Sequence, residues 1–305
     1  MHITLIGAGP RGLMLLGRLI SWQRTRYPQR QLTIFLVDPY PIGGRVWKID
    51  QDPNLIMNTA AAQITLFTDQ TVTGVGPFIA GPDLSTWALT LAADYLDAHP
   101  EINNRSILMR QAANLGPNSY ASRALYGVYQ QWFFDLQKYQ AGTNIITYKQ
   151  QTVNRLDKKA AGFTVTTDQE SWQTDQVVMA LGNLKNSLTR DQKALHDYAQ
   201  THQLFYLEPG FPEEGDLSGI EAQSPVIIRG LGLSFFDLMS RLTEGRGGQF
   251  QKAPDGLLVY HPSGREPHIF AGSRRGFPYR AKGRNQKGPG EDCLLYTSDA
   301  ADDKA

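Results

Sequence analysis

Three glycines near the N-terminus have the spacing of a phosphate-binding turn. An apolar run at 3–6 precedes glycines at positions 7, 9 and 12, and an apolar helical pattern begins at Leu13. Gly7 would allow a sharp turn, Gly9 would let the backbone approach a pyrophosphate, and Gly12 would let the helix lie close to the strand. The phosphates would meet the N–H groups of the helix N-terminus. The residues predicted to form this binding turn are Gly7, Ala8, Gly9, Pro10, Arg11 and Gly12.

An acidic residue stands where a ribose hydroxyl would need an acceptor. A second apolar strand is predicted at 32–37, and Asp38 follows it directly. The spacing from Gly12 slightly exceeds the roughly 20 residues typical of such an acid, and a polar turn at 24–31 accounts for the excess. Asp38 is therefore predicted to bind a ribose. The alternative is an ordinary βαβ unit with a surface aspartate.

The loop after Asp38 combines glycines with a cation and a large ring. Gly43 and Gly44 would let the backbone pass close to a ligand, Arg45 would offer a planar donor fork to phosphate, and Trp47 would cover a ring system. Cofactor contacts are predicted for Pro39, Gly44, Arg45, Val46 and Trp47. The alternative is a surface loop anchored by the tryptophan.

The middle of the chain supplies core helices and then short strands. Aromatic and aliphatic residues recur at helical spacing over 84–95 and 122–139, and we interpret both stripes as core. Asn58, before these helices, would either hydrogen-bond a cofactor edge or cap the turn at 59–62. Strands predicted at 144–148, 152–156, 162–167 and 171–174 lead to an apolar strand that ends at Ala180-Leu181-Gly182. Ala180 and Gly182 are predicted to meet the phosphate side of the cofactor; a simple strand-ending turn is the alternative.

A second strand, glycine turn and helix begin at Pro225. Gly230, Gly232 and Ser234 follow the strand, but Phe235 takes the place of the third glycine. Segments at 247–251 and 256–261 predict an inserted hairpin, and a strand after them ends at the paired residues Arg274 and Arg275. Paired arginines suit a 2′-phosphate, whereas Asp38 suits a bare ribose. The alternative is a βα turn followed by a basic surface loop.

Length and charge limit the classes of function. A chain of 305 residues predicts about two domains. A net charge of +1 argues against a nucleic-acid or membrane partner, and the chain has no apolar run of about 20 residues. We therefore predict a cytoplasmic protein. His196 and His202 have no third ligand at metal spacing, so no metal site is predicted.

The C-terminal segment has the composition of a non-native tail. Residues 293–303 resemble a translated sequencing-library adapter, and they contain the one cysteine of the chain, Cys293. We therefore predict no disulfide, thiol catalysis or cysteine–metal site, and we expect the natural reading frame to continue past Asp292. The alternative is a disordered polar tail.

Together these motifs resemble those of the FAD/NAD(P)-binding oxidoreductases, the flavoproteins that hold two dinucleotides. More narrowly, the chain is similar to flavin-dependent N-hydroxylases and monooxygenases and to urate-hydroxylase-like proteins. The resemblance implies an α/β fold with a Rossmann-like FAD-binding domain at 1–222, a partial NAD(P)-binding domain at 223–292 and the tail at 293–305. In such folds the strand that opens the β-meander places a backbone group against the adenine, and Val153 occupies that position.

The resemblance also implies a reaction. FAD would occupy the first site and NADPH or NADH the second, and hydride would pass to the flavin and then to O₂ or another acceptor, with a small-molecule substrate. No catalytic side chain is predicted, because the cofactors supply the chemistry. A non-catalytic FAD/NAD(P)-binding or redox-sensing module is the main alternative; a flavin-free dehydrogenase would not need the meander or the turn at Gly182. We expect this stretch alone to be inactive and to bind FAD weakly or not at all.

Overall fold

The computed structural model describes residues 1–68 and 76–280 and is a mixed α/β fold. Its strands are β1 (His2–Ile6), β2 (Thr33–Val37), β3 (Ile145–Lys149), β4 (Val153–Lys158), β5 (Phe163–Thr167), β6 (Ser171–Thr174), β7 (Gln176–Met179), β8 (Pro225–Arg229), β9 (Gln249–Lys252), β10 (Leu258–His261) and β11 (His268–Gly272). Its α-helices are α1 (Pro10–Arg26), α2 (Leu84–Thr90), α3 (Ala92–Ala98), α4 (Arg105–Ala113), α5 (Arg123–Gln140), α6 (Arg190–Thr201) and α7 (Leu233–Leu242). The tail predicted at 293–305, including Cys293, and the end of the predicted second domain lie outside the described residues.

A parallel sheet in the order β3-β2-β1-β7 organises the first part of the chain. Its central strand β1 is buried on both faces from Ile3 to Ile6, as a continuous apolar run requires. Helix α1 covers one face with Leu13, Leu16 and Ile20, which are almost completely buried. The predicted strand–turn–helix–strand order at the N-terminus is therefore confirmed.

A helical layer packs against α1 through α5, whose Phe133 lies beside Gly17. Ser122 caps α5 by accepting a hydrogen bond from the Leu125 N–H at 3.1 Å. The predicted inner face of α5 is confirmed at Leu125, Val128 and Phe133, which are fully buried. The single helix predicted over 84–95 is wrong, because the backbone turns out of helical geometry at Leu91 and divides it into α2 and α3. Helix α4 was not predicted, since its segment has only a weak apolar stripe.

The predicted β-meander is confirmed as β4-β5-β6, an antiparallel sheet. It contacts the parallel sheet through Trp172, whose Nε1–H donates to the Thr4 Oγ1 at 3.0 Å. The same indole ring lies 5.5 Å from the Phe35 ring, centroid to centroid. The meander therefore packs on the parallel sheet at β1 and β2.

The segment from Pro225 forms a second, smaller α/β unit. Strands β8 and β11 pair in parallel, and α7 follows β8. The predicted hairpin is confirmed as the antiparallel pair β9–β10. A separate small core holds this unit together. Ile228 and Leu242 are buried in it together with Leu217 and Ile220, which precede Pro225 in the chain. Within the ranges 1–68 and 76–280, none of the helices has the length and apolar character that crossing a bilayer requires.

Candidate cofactor sites

The first glycine turn has a backbone that other residues cannot adopt without strain. Gly7 has φ +116°, and its N–H donates to the Val37 carbonyl at 2.8 Å. A Cβ atom at Gly7 would lie 2.2 Å from the Ala180 carbonyl oxygen, and one at Gly12 would lie 1.9 Å from the Gly7 carbonyl oxygen. Both positions therefore need glycine. They bring the start of α1 against the ends of β1 and β7.

The N-terminus of α1 is open to an anion. Gly9 is the N-cap residue, no side chain caps this end, and Pro10 begins the helix. Arg11 is exposed in the first turn. A Cβ at Gly9 would meet only the Gly43 carbonyl oxygen, at 3.7 Å. The residues present therefore fit a pyrophosphate at the helix dipole, as the sequence predicts.

Asp38 is buried and holds the glycine turn. Its Oδ2 accepts a hydrogen bond from the Ala8 N–H at 2.8 Å, and its Oδ1 accepts one from the Tyr40 N–H at 2.9 Å. Burial raises the pKa of Asp38 above its ordinary value, against the lowering effect of these two amides. The predicted contact with a ribose stays a prediction. The structure adds a role that the sequence did not reveal, because the carboxylate also organises the turn.

The loop after Asp38 lies directly on the glycine turn. Gly43 and Gly44 have φ +101° and +70°, and the Gly43 N–H donates to the Ala8 carbonyl at 3.0 Å. A Cβ at Gly44 would lie 3.4 Å from the Cα of Gly9. Trp47 is half-buried and packs edge-on against Tyr126, with ring centroids 5.0 Å apart. In the same loop, Pro39 is exposed and Val46 is half-buried.

Arg45 binds a protein carboxylate in this structure. Its Nε donates to Glu214 Oε1 at 2.6 Å and its Nη2 to Glu214 Oε2 at 2.5 Å, a bidentate fork. The guanidinium also lies 4.9 Å from the centre of the Phe211 ring. The hydrogen bond from Arg45 lowers the pKa of Glu214. The predicted phosphate contact of Arg45 stays a prediction, and Glu214 is a functional candidate that the sequence did not indicate.

The carboxyl ends of three parallel strands meet at this site. The Ala180 N–H donates to the Ile6 carbonyl at 2.7 Å, which places the end of β7 beside Gly7. Gly182 follows with φ +63° in open space. The Asp38 N–H donates to the Lys149 carbonyl at 3.2 Å. This bond places the end of β3, from which the chain continues into the meander at Val153, beside the predicted ribose acid. Such a crevice at strand ends is the usual ligand site of open α/β sheets.

Asn58 is predicted either to bind a cofactor edge or to cap the turn at 59–62. It is exposed, and its Oδ1 accepts a hydrogen bond from the Thr59 hydroxyl at 3.4 Å. Its predicted cofactor contact stays a prediction.

The second glycine turn repeats the backbone of the first. Gly230 has φ +114°, and its N–H donates to the Gly272 carbonyl at 2.8 Å. Gly232 is the N-cap of α7 without a side-chain cap, and Ser234 is exposed in the first turn. A cleft of about 530 Å³ lies beside this turn. Among the residues that line it are Gly232, Arg274, Arg275, Tyr279 and Arg280.

The structure therefore brings together the two halves of the second predicted site. Arg274 and Arg275 follow β11, which pairs with β8, and so they reach the cleft beside Gly232. The Arg275 guanidinium lies 5.9 Å from the Tyr279 ring centre. Three arginines around an open helix N-terminus suit an anionic nucleotide. Within the described part of the chain, no group of three or more His, Cys, Asp or Glu side chains could hold a metal ion.

Comparison with known proteins identifies the family. The model of the FAD-NAD(P)-binding family matches residues 4–184. The chain belongs to this family. The match covers the first glycine turn, Asp38, the Gly43–Gly44 loop, the meander and Gly182, so the predicted α/β fold and the predicted cofactors, FAD with NAD(P), are confirmed for the family.

Two curated relatives match almost the whole of this chain. An L-aspartate N-monooxygenase (nitrosuccinate-forming) from Streptomyces davaonensis is 38% identical over 299 residues, which are 94% of this chain and 45% of that protein. Nitrosuccinic acid synthase npaA from Aspergillus oryzae is 40% identical over 311 residues, 99% of this chain and 44% of that protein. The chain thus spans about half the length of the curated relatives it matches.

Among solved structures, lysine monooxygenase NbtG from Nocardia farcinica aligns with a TM-score of 0.42 at 13% identity. The alignment covers 80% of this chain and 59% of that one. A similarity of this size carries no functional argument.

Proposed function

We propose that this chain is the cofactor-binding part of an FAD- and NAD(P)H-dependent N-monooxygenase that oxidises the amino group of a small amino acid. The observation that carries the proposal is the pair of glycine turns, at Gly7 and Gly230, with nearly equal backbone geometry. One turn is joined to a buried acid and the other to paired arginines. The reaction and the aspartate-like substrate are supported by the names of the two relatives.

In this proposal the first site binds FAD. The turn from Gly7 to Gly12 receives the pyrophosphate, Asp38 accepts from the ribose, and the backbone of Val153 faces the adenine. The remaining contacts come from the loops with Pro39, Gly44, Arg45, Val46, Trp47, Asn58, Ala180 and Gly182. Bound FAD supplies the hydride acceptor and the oxygen activation, which explains why no acid–base pair is assigned.

The second site selects the nicotinamide nucleotide. Gly230, Gly232 and Ser234 receive its pyrophosphate, and Arg274 with Arg275 binds a 2′-phosphate, which favours NADPH over NADH. We propose the domain boundaries 1–222 and 223–292 because the strands of the second unit begin at Pro225 and form a sheet of their own. Its small core also includes Leu217 and Ile220, just before the boundary. The cytoplasmic location stays a prediction from composition.

The test begins with the visible spectrum. FAD is titrated into this chain, and NADPH is then added without oxygen; a flavin band that NADPH bleaches supports both sites. The chain is next fused to the remaining sequence of the Streptomyces relative, and O₂ consumption is measured with and without aspartate. We expect NADPH-dependent consumption that rises with aspartate, together with an N-oxidised amino acid by mass spectrometry. A redox-sensing module would bind the cofactors and consume no O₂ above the free-flavin background, which would refute the enzyme.

A further inference from the structure

We propose that the short turn Pro212–Glu214, here called the acidic turn, couples the two dinucleotide sites, with Glu213 and Glu214 as positioning residues. The inference rests on the proposed function, because it assigns a consequence to nucleotide binding at the second site. The acidic turn lies in the chain between β7 and β8, and it contacts both units through side chains and backbone.

The acidic turn holds two arginines of the first unit. Glu214 takes both donors of the Arg45 fork, at 2.6 and 2.5 Å. Glu213 accepts from the Nη1 of Arg123, the first residue of α5, at 2.8 Å. Arg45 belongs to the loop that lies on Gly9, since Gly44 is in contact distance of that residue. A displacement of the acidic turn therefore moves the loop that covers the first glycine turn.

Helix α7 of the second unit also contacts the acidic turn and Arg123. Arg241 donates from its Nη1 to the carbonyl oxygens of Pro212 and Gly215, the latter at 2.9 Å. Asp237 accepts from the Nη2 of Arg123 at 2.5 Å. Both side chains lie on the helix whose N-terminus is the Gly232 turn. A nucleotide that binds at that N-terminus therefore acts on a helix that holds the acidic turn through Arg241. Through Asp237 the same helix holds Arg123, the partner of Glu213.

Three of the charged side chains between α7 and the acidic turn are largely buried. The Glu213 side chain is 2% exposed, that of Asp237 9% and that of Arg123 14%. Buried charges must keep their partners, because water cannot replace them. A shift of α7 is thus transmitted to Glu213 through Arg123, and to Glu214 through the backbone on either side of it, which Arg241 holds. By linkage, NADP⁺ at the second site changes the affinity for FAD at the first, and FAD changes the affinity for NADP⁺ by the same factor.

The experiment measures this factor on the full 305-residue chain. The FAD dissociation constant is determined with and without saturating NADP⁺, for the wild type, Glu214→Gln, Glu214→Asp and the control Glu101→Gln. We expect NADP⁺ to tighten FAD binding by about fivefold or more in the wild type. The factor falls to about 1 in Glu214→Gln, and Glu214→Asp recovers part of it because the carboxylate remains. Glu101 is an exposed glutamate that pairs only with His99 among the described residues, so its variant keeps the wild-type factor.

A second readout does not require tight FAD binding. Hydrogen exchange of residues 43–47 is compared with and without NADP⁺, and we expect protection in the wild type and none in Glu214→Gln. If Glu214→Gln proves unfolded by circular dichroism, the pair Arg45→Gln with Glu214→Gln replaces it, since two amides leave no unpaired charge.

The outcomes separate the inference from the proposed function. Binding of both nucleotides with a factor near 1 and no change in exchange overturns the coupling and leaves the function. An unchanged factor in Glu214→Gln also overturns it. Failure of the wild type to bind either nucleotide, both in this chain alone and in its fusion to the remaining sequence of the Streptomyces relative, refutes the proposed function, and the coupling with it.

Discussion

The two glycine turns share a backbone but differ in their surroundings. Gly7 and Gly230 have φ values of +116° and +114°, and each donates its N–H to the neighbouring strand at 2.8 Å. Around Gly7, a Cβ would collide with the Ala180 carbonyl; around Gly230, it would meet nothing within 4 Å. The local sequence therefore determines the turn, whereas the neighbouring elements determine how tightly it is enclosed.

The third position of each turn shows the consequence. Gly12 lets α1 approach so closely that a Cβ there would lie 1.9 Å from the Gly7 carbonyl oxygen. Phe235, at the equivalent position, instead packs against the small core of the second unit. Helix α7 is thus positioned by a side chain rather than by backbone contact. The second turn stays open beside its 530 Å³ cleft.

The two parallel sheets also differ in how fully their strands are enclosed. Strand β1 lies between β2 and β7, whereas in the described residues β8 pairs with β11 alone. Ile227 of β8 is 83% exposed and Phe270 of β11 60% exposed, although both are strand residues of apolar type. The second unit therefore buries less apolar surface, and we expect it to unfold more easily than the first.

The largest effect is expected from adding one methyl group to each turn. Gly7→Ala combines backbone strain with a collision and should cost about 4 kcal/mol of unfolding free energy. Gly230→Ala adds strain without a collision and should cost about 1–2 kcal/mol. Denaturant unfolding of the two variants measures the difference. Equal losses would show that the enclosure of the first turn has no energetic role.

Removing the cation between the units should have the next largest effect. Arg123→Met leaves the buried carboxylates of Glu213 and Asp237 without their arginine. We expect the free energy of unfolding to fall by about 3 kcal/mol. We also expect the thermal transition to separate into two, because the ion pairs of Arg123 no longer join the two units. Arg105→Met, at an exposed ion pair with Asp97, is the matched control and should change little. A single transition with wild-type stability would contradict the shared role of Arg123.

The two sites should respond to different parts of their nucleotides. Arg274→Ala should weaken NADPH binding about tenfold, equivalent to about 1.4 kcal/mol, and leave NADH binding and FAD binding unchanged. Asp38→Ala should do the reverse and lower only the affinity for FAD. Fluorescence titrations with each nucleotide test both variants. Arg155→Ala, on the exposed surface of the meander, serves as control; an equal loss for NADPH and NADH would remove the 2′-phosphate assignment.

The smallest effect is a pH dependence at the Arg45–Glu214 pair. Arg45 lowers the pKa of Glu214 below its ordinary 4.5. A lowered carboxyl pKa stabilises the folded state above the unfolded pKa, and this stabilisation is lost as the pH falls through the folded pKa. We expect Glu214→Gln to cost up to about 1 kcal/mol near neutral pH, and the difference from wild type to shrink in acid. Thermal unfolding at several pH values measures it, and Arg45→Gln should abolish the same dependence.

The sequence by itself determined the order of elements and the two turns. Glycine spacing, apolar runs and polar breaks are local signals, so the first βαβ unit, the meander, the hairpin and the core face of α5 could all be predicted. The break at Leu91 and helix α4 could not, because the stripe over 84–95 continues through the break and that of α4 is weak. The meeting of Gly7, Asp38 and Ala180 at one sheet edge was not predicted, because it depends on the pairing of β1 with β2 and with the distant β7.

Only the tertiary structure decided which charges pair. Arg45 has a spacing that suits phosphate, yet its fork is bound to Glu214, 169 residues away in sequence. Arg123 joins Glu213 to Asp237 across separations of 90 and 114 residues, and Asp38 turns toward the Ala8 amide. Ion pairs have no sequence period, because their partners are chosen by the packing of whole elements. The sequence therefore predicts where two nucleotides bind, and the packing of the acidic turn connects the two places.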